Sequence, residues 1–266
     1  LRNRRGEGMK IEEDQVSRKS RIGQGTQSSL SEGQMGMSRR GGAETRRSLL
    51  AAAKEVFAEK GYRDATVAEI CERAHANVAA VNYHFGGKET LYKEAWLDSF
   101  RESMKAHPPD GGVDDNAPPQ ERLRGHVVSL LRRIADENNK EFWIVQKELA
   151  HPTGLLKEVM QQELRPLQQR MEILVRELLG PGASDQQVRF CVMSIVSQCI
   201  NPMVARMGRS KRREGKQISP GRGDIEAYSH HVVKFSLAGI RAVREEGAGG
   251  SGEPGSPCPG PEPNGR

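Results

Sequence analysis

No apolar run in this sequence reaches the roughly 18–20 residues that a membrane-spanning helix requires, so no bilayer span is expected. The start of the chain is basic but no apolar stretch follows it, and no secretory leader is expected there. Cysteine is scarce. Cys71, Cys191, Cys199 and Cys258 form no CxxC pair and no metal-ligand spacing, which argues against a zinc module or a disulfide framework and for a reducing, cytoplasmic setting. His151 and the pair His230-His231 lack a partner carboxylate at ligand spacing, and adjacent histidines point to different faces of a helix, so neither a metal nor another cofactor is expected. GxSxG, Walker A, GxGxxG and HExxH are all missing, and helical spacing suggests no Ser/His/Asp set. The chain is therefore not read as an enzyme. No segment alternates with period two, which leaves sheets without a candidate. Apolar residues are also sparse. At 35% hydrophobic and a mean hydropathy of −0.68, not all 266 residues are expected to join a packed core.

Positive charge is what the chain has in excess. The net charge is +6 and the isoelectric point near 9.2, compatible with a polyanionic partner though weak evidence on its own. The excess is local. It lies in residues 1–47 and in a run from Arg206 to Arg222, where Glu214 alone interrupts the cations. Residues 1–42 are rich in Gly, Ser, Arg and Gln without a helical or strand period, and read as a disordered basic arm or as an over-extended start, with Met9, Met35 and Met37 as alternative first residues. Residues 247–266 are rich in glycine and proline and read as a disordered tail.

Between these ends the pattern is helical throughout, and the expected fold is all-α. Leu49, Leu50, Ala53, Val56 and Phe57 recur at helical spacing, and Gly61 offers a stop. Thr66 is placed to cap a short helix, with Glu69 as its capping-box partner. His75, Ala76 and Asn77 form a tight connector, and Asn77 can cap a second short helix over Val78–His84. Gly86-Gly87 ends it, and a longer helix is expected from Lys88 to Ala106. After a Pro/Gly/Asp loop from His107 to Pro119, further helices are expected at about 120–137, 140–150, 155–179, 185–206 and 224–245.

Two short helices joined by a three-residue turn have the geometry of a helix-turn-helix. Its second helix enters the major groove by its N-terminal end, which must carry small or polar side chains. Here that end reads Asn77-Val78-Ala79-Ala80-Val81-Asn82. Ala79 and Ala80 allow close approach and can meet thymine methyls, and Asn82 can serve an adenine edge. Val81 is expected to face inward with Ile70 and Phe57. Tyr83 and His84 can donate to phosphates, Lys88 lies at a helix N-terminus, and Thr66 offers a hydroxyl at another. Arg46 and Arg47 flank the same face. Such contacts set register without reading sequence. Taken singly, the small-residue helix also fits a packed core, and the cations an ordinary solvated face.

The string ETRRSLLAAAKEVFAEKGYRDATVAEICERAHANVAAVNYHFGGKETLY, residues 44–92, resembles the DNA-binding domain of the TetR family of transcriptional regulators. NVAAVNYHF is similar to the branch with a CecR/CerR-type C-terminal domain. HPTGLLKEVMQQELRPLQQRMEILVRELLG (151–180), SIVSQCI (194–200) and HHVVKFSLAGIRAV (230–243) resemble that branch too, less specifically. The resemblance implies a DNA-binding head over 43–92 and an effector-binding and dimerisation domain over 93–246. It implies base contacts from Val78, Ala79, Ala80 and Asn82 and phosphate contacts from Thr66, Tyr83, His84 and Lys88. It further implies double-stranded operator DNA, a second copy of the chain and a small-molecule effector as partners. His75 stands where the family's turn usually carries glycine, and NPMVARMGRSKRREG after Ile200 departs from its usual aromatic continuation.

In the C-terminal half, Val188, Val192, Ile195, Val196, Cys199, Ile200 and Met203 give one helix a broad apolar face, and Tyr228, Val232, Phe235, Ile240 and Val243 give another. Ser236 and Gly239 allow close crossing. Two such helices from each of two subunits can form a four-helix interface, with Ile195 and Phe235 in it; core packing within one chain is the other reading. Pro166 and Pro202 would free the carbonyls of Gln162 and Gln198. Such kinks suit a ligand cavity, or simply a bend that follows the core. Candidate cavity residues are Phe142, Trp143, Gln146, Met171 and Gln198. Cys191 and Cys199 read as small core residues. A repressor released from a palindromic operator by a small molecule is the first functional reading, and a non-specific architectural DNA binder the alternative.

Overall fold

The computed structural model describes residues 30–136, 138–207 and 224–249. Among them the backbone forms α-helices and no strand. These are α1 (Leu30–Asp64), α2 (Val67–Arg73), α3 (Val78–Phe85), α4 (Lys88–Ala106), α5 (Pro119–Ala135), α6 (Lys140–Ala150), α7 (Lys157–Leu179), α8 (Asp185–Met207) and α9 (Ile225–Gly249). Helix α1 starts inside the segment for which no helical period was read, and α9 runs into the glycine-rich C-terminal stretch. The alternative starts at Met9, the basic run from Arg209 onward and Cys258 lie outside the described residues.

Helix ends follow local chemistry. At Gly61 the backbone leaves the α1 helix (φ 76°, ψ −178°), a conformation open to glycine and costly for a residue with a Cβ. Thr66 caps α2, its Oγ1 accepting from the Glu69 N–H at 3.2 Å. Only half of the expected capping box forms. The Glu69 carboxylate accepts instead from Lys60 Nζ (2.7 Å) and Arg73 Nη2 (2.8 Å). Asn77 caps α3, its Oδ1 accepting from the Ala79 N–H at 2.9 Å, and Gly86 closes that helix in the left-handed region. His75 adopts φ 50°, the one described non-glycine residue with positive φ. The side chain is strained there, by about 1 kcal/mol.

From Ala43 on the described chain is one packed unit with two apolar cores. In the first, Leu49, Ala53, Val56 and Phe57 of α1 meet Ile70 of α2, Val81 and Phe85 of α3, and Leu91, Tyr92 and Trp96 of α4. Ile144 of α6 and Leu156, just before α7, complete it. The second core joins α5, α7, α8 and α9 through Leu123, Val127, Val175, Val188, Ile195 and Val232. The expected fold is observed, with Val81, Ile70 and Phe57 inward as read.

Loop 107–118 closes onto α5 through two glycines. A Cβ on Gly125 would lie 2.1 Å from the Asp110 carbonyl oxygen, and one on Gly111 would lie 2.6 Å from that of Gly125. Gly239, expected at a close crossing, has open space around its Cβ position.

Candidate functional site

Helix α3 is anchored from beneath. Val81 and Phe85 are fully or nearly fully buried, while Asn77, Val78, Ala79, Asn82 and Tyr83 face solvent and Ala80 and His84 are half-buried. Tyr83 is 82% exposed and Val78 52%. An exposed aromatic beside an exposed β-branched residue on a short, well-capped helix gains nothing for the fold. Thr66 is exposed at the start of α2.

The flanking cations differ from the simple reading. Arg47 is exposed. Arg46 is partly exposed, paired with Glu94 of α4 and lying 4.9 Å from the Phe85 ring centroid. Lys88 lies 4.4 Å over the Tyr62 ring, where burial, opposed by the charge of Asp64, lowers its pKa. Both hold the head together in this state. Their intramolecular partners are ones that sequence spacing does not reveal. Tyr83 and His84 meet edge to face at 4.8 Å.

A cavity of about 600 Å³ opens between α4, α5, α6, α7 and α8, within the size range of small-molecule sites. Of the five candidates, Phe142 and Met171 line it. The other three do not. Trp143 follows Phe142 by one helical step, which turns it away, and it is 39% exposed. Gln146 is half-buried elsewhere on α6. Gln198 faces α9, its Nε2 donating to Ser194 O (3.1 Å) and reaching Ser236 Oγ (3.5 Å). Leu164 and Leu167, which bracket Pro166, do line the cavity.

Sequence reading missed the polar floor. Arg133 Nη2 donates to both carboxylate oxygens of Glu141 at 2.9 Å, and the two side chains are 5% and 4% exposed. Arg133 Nε donates to Ser103 Oγ at 3.0 Å, and Asn139 Nδ2 donates to the same oxygen at 2.7 Å. His126 also lines the cavity, and burial lowers its pKa. The partners are 8 to 36 residues apart in sequence, and only folding shows that they meet.

Helix α6 touches both regions. Phe142, Val145 and Leu149 line the cavity while Ile144 is buried in the head's core. At its end the Glu148 carboxylate accepts from the Tyr92 hydroxyl at 3.0 Å and from the Thr153 and Gly154 N–H groups at 2.8 and 2.9 Å. Among the described residues no acidic, His or Cys cluster could hold a metal, and no helix is long and apolar enough to cross a membrane.

Comparison with known proteins agrees with this geometry. Residues 49–95 match the family "Bacterial regulatory proteins, tetR family". Residues 119–240 match "HTH-type transcriptional dual regulator CecR, C-terminal domain". The chain is 27% identical over 171 residues to the HTH-type transcriptional dual regulator CecR of Shigella flexneri, covering 60% of this chain and 75% of that one. It is 33% identical over 94 residues to a probable acrEF/envCD operon repressor of Escherichia coli strain K12, covering 35% of this chain and 41% of the repressor. In fold it is similar to a TetR-family regulator from Mesorhizobium loti (TM-score 0.56, 19% identity, 74% of this chain and 96% of that one). A TetR-like regulator from Rhodococcus is similar too (TM-score 0.55, 17% identity, 74% and 96%). With its helix-turn-helix head and its CecR-type C-terminal half, the chain belongs to the TetR family of transcriptional regulators.

Proposed function

We propose that this sequence-specific DNA-binding regulator is a repressor that sits on a palindromic operator as a homodimer and leaves it when a small, largely apolar molecule enters the cavity. The observation that carries the reading is the outward face of α3, Asn77, Val78, Ala79, Asn82 and Tyr83, presented over a buried Val81 and Phe85. Such a face suits a major groove. Arg46, Arg47, Thr66, Ala80, His84 and Lys88 surround it as candidate phosphate or groove contacts. Operator DNA as the target makes the cytoplasm the proposed compartment.

The exposed faces of α8 and α9 support a second copy. Phe190 and Met193 on α8 stand in solvent. On α9 the exposed residues Ala227, His231, Phe235, Ala238 and Ala242 recur at helical spacing, and Phe235 is 62% exposed. A large aromatic among small residues fits helix packing across a twofold. Ile195, expected in the same interface, is 2% exposed and belongs to the protomer's own core. It supports the fold of each subunit instead.

Selection of binding sites from random DNA tests the reading. An inverted repeat whose half-sites lie one helical turn apart, roughly 34–36 Å, is expected. Binding without sequence preference would favour an architectural role.

A further inference from the structure

The cavity's polar groups restrict what can fill it. Its walls are mainly aliphatic and aromatic, and its charges cancel. Arg133 is neutralised by Glu141 through two hydrogen bonds at 2.9 Å. Arg189 of α8 and Glu172 of α7, one charge of each sign, also line the cavity. An anion brought to the floor would meet a guanidinium already engaged by a carboxylate and would repel that carboxylate. Burying it there carries a desolvation cost that Arg133, already engaged by Glu141, does little to offset.

The floor leaves a hydrogen-bond donor unmet. Trp96 lines the cavity and is fully buried, and its Nε1–H has no hydrogen-bond partner among the described residues. A buried donor without an acceptor is uncommon in folded proteins and points to a group supplied from elsewhere. Arg133 uses Nε and Nη2, and Nη1 makes no hydrogen bond among the described residues. The two donors are brought to one region by Phe100. The Trp96 ring stacks on it at 5.3 Å, and the Arg133 Cζ lies 5.5 Å from its centroid.

We infer that the cavity takes an uncharged, mainly apolar molecule bearing a hydrogen-bond acceptor such as a carbonyl oxygen, with Trp96 Nε1–H and Arg133 as its donors, and that it discriminates against carboxylates. This deepens the effector-cavity reading and rests on it. The Arg133–Glu141 pair stays intact on binding, and the ligand adds an oxygen where donors are unmet.

Three matched probes test it on the full-length protein: 2-acetylnaphthalene (neutral acceptor), 2-naphthoate (anion) and 2-ethylnaphthalene (no acceptor). Titrations follow the indole N–H resonances of the two tryptophans, with Trp143→Phe assigning Trp96. The ketone is expected to bind at least tenfold more tightly than either analogue and to move the Trp96 N–H proton downfield. In Trp96→Phe the advantage of the ketone over 2-ethylnaphthalene should largely vanish. The wild-type ranking stands even if that variant does not fold. If 2-naphthoate binds as well as the ketone, or 2-ethylnaphthalene does, the inference is overturned while the cavity remains a ligand site. If none of the three binds at millimolar concentration, both the inference and the cavity reading fall.

Discussion

The hydroxyl of Tyr228 on α9 donates to the main-chain carbonyl of Gln198 on α8 at 2.8 Å. That carbonyl is the one Pro202 deprives of its helical partner, since proline four residues on has no N–H. The helix is therefore not left with a bare acceptor for a ligand. A side chain from the neighbouring helix fills the gap and ties α8 to α9. Tyr228→Phe should lower unfolding stability by about 1–2 kcal/mol, measured by chemical denaturation. The same change in a Pro202→Ala background should cost much less, because the helix then satisfies its own carbonyl. Equal losses in both backgrounds would sink this account.

Gly125 admits no side chain. Its Cβ would overlap the Asp110 carbonyl and crowd Val113 Cγ2 at 2.8 Å. Gly125→Ala is expected to cost about 1–3 kcal/mol, and each kcal/mol lowers Tm by about 2–4 °C in a chain of this size. Calorimetry checks it.

Base reading and phosphate anchoring are separable. Asn82→Ala should lose discrimination at one base pair per half-site, worth about 1–3 kcal/mol. Lys88→Ala should weaken binding to all sequences and reduce the salt slope by about one per subunit. Because Lys88 also lies over Tyr62, its removal should slightly lower Tm. Binding-site selection and salt titrations on both variants decide. A changed motif for Lys88→Ala with an unchanged one for Asn82→Ala would reverse the two roles.

Phe235→Asp should give a folded monomer, because an unpaired charge cannot be buried cheaply between subunits and the side chain makes no part of the protomer core. Ile195→Asp should instead unfold the chain. Sedimentation and circular dichroism distinguish the outcomes.

His126 sets an expected pH response. Burial is the main cause of its lowered pKa. Arg170 and Arg122 add to that effect, while a hydrogen bond to the Pro109 backbone and the charge of Asp110 oppose it. Between the folded value and the unfolded value of about 6.5, the unfolded chain binds more protons. Stability contributed by neutral His126 is thus complete above that range and falls as the pH drops through it. Thermal melts of wild type and His126→Gln at pH 8 and pH 5 should show a smaller acid loss in the variant.

Helix identity and the inward face of the reading head were legible because Leu49, Val56, Ile70 and Val81 follow helical period and Thr66, Asn77 and Gly61 punctuate it. The departure at His75 was visible only through the resemblance, and the backbone then shows its positive φ. What was not legible depended on contacts distant in sequence. Arg46 reads as a free cation until Glu94 is brought beside it. Trp143 and Phe142 read alike, although one helical step of about 100° puts one at the cavity and the other in solvent. Ile195 and Phe235 share an apolar character, and only packing shows which is core and which is surface. Trp96 fits the last helix of the head so well that its place on the cavity floor left no trace in the pattern.

Ile144 and Leu156, completely buried against the head's core, bear on how such a protein can be recombined. A gene fusion that joined these first helices to a foreign C-terminal half near Tyr92 would leave both side chains behind. Each vacancy would cost about 2–5 kcal/mol, enough together to exhaust much of a domain's stability. Viable hybrids should therefore carry α6 and the stretch to Leu156 with the operator-reading helices. The same donor would then supply Phe142, Val145 and Leu149, so a transplanted operator preference would arrive with part of its original chemical taste.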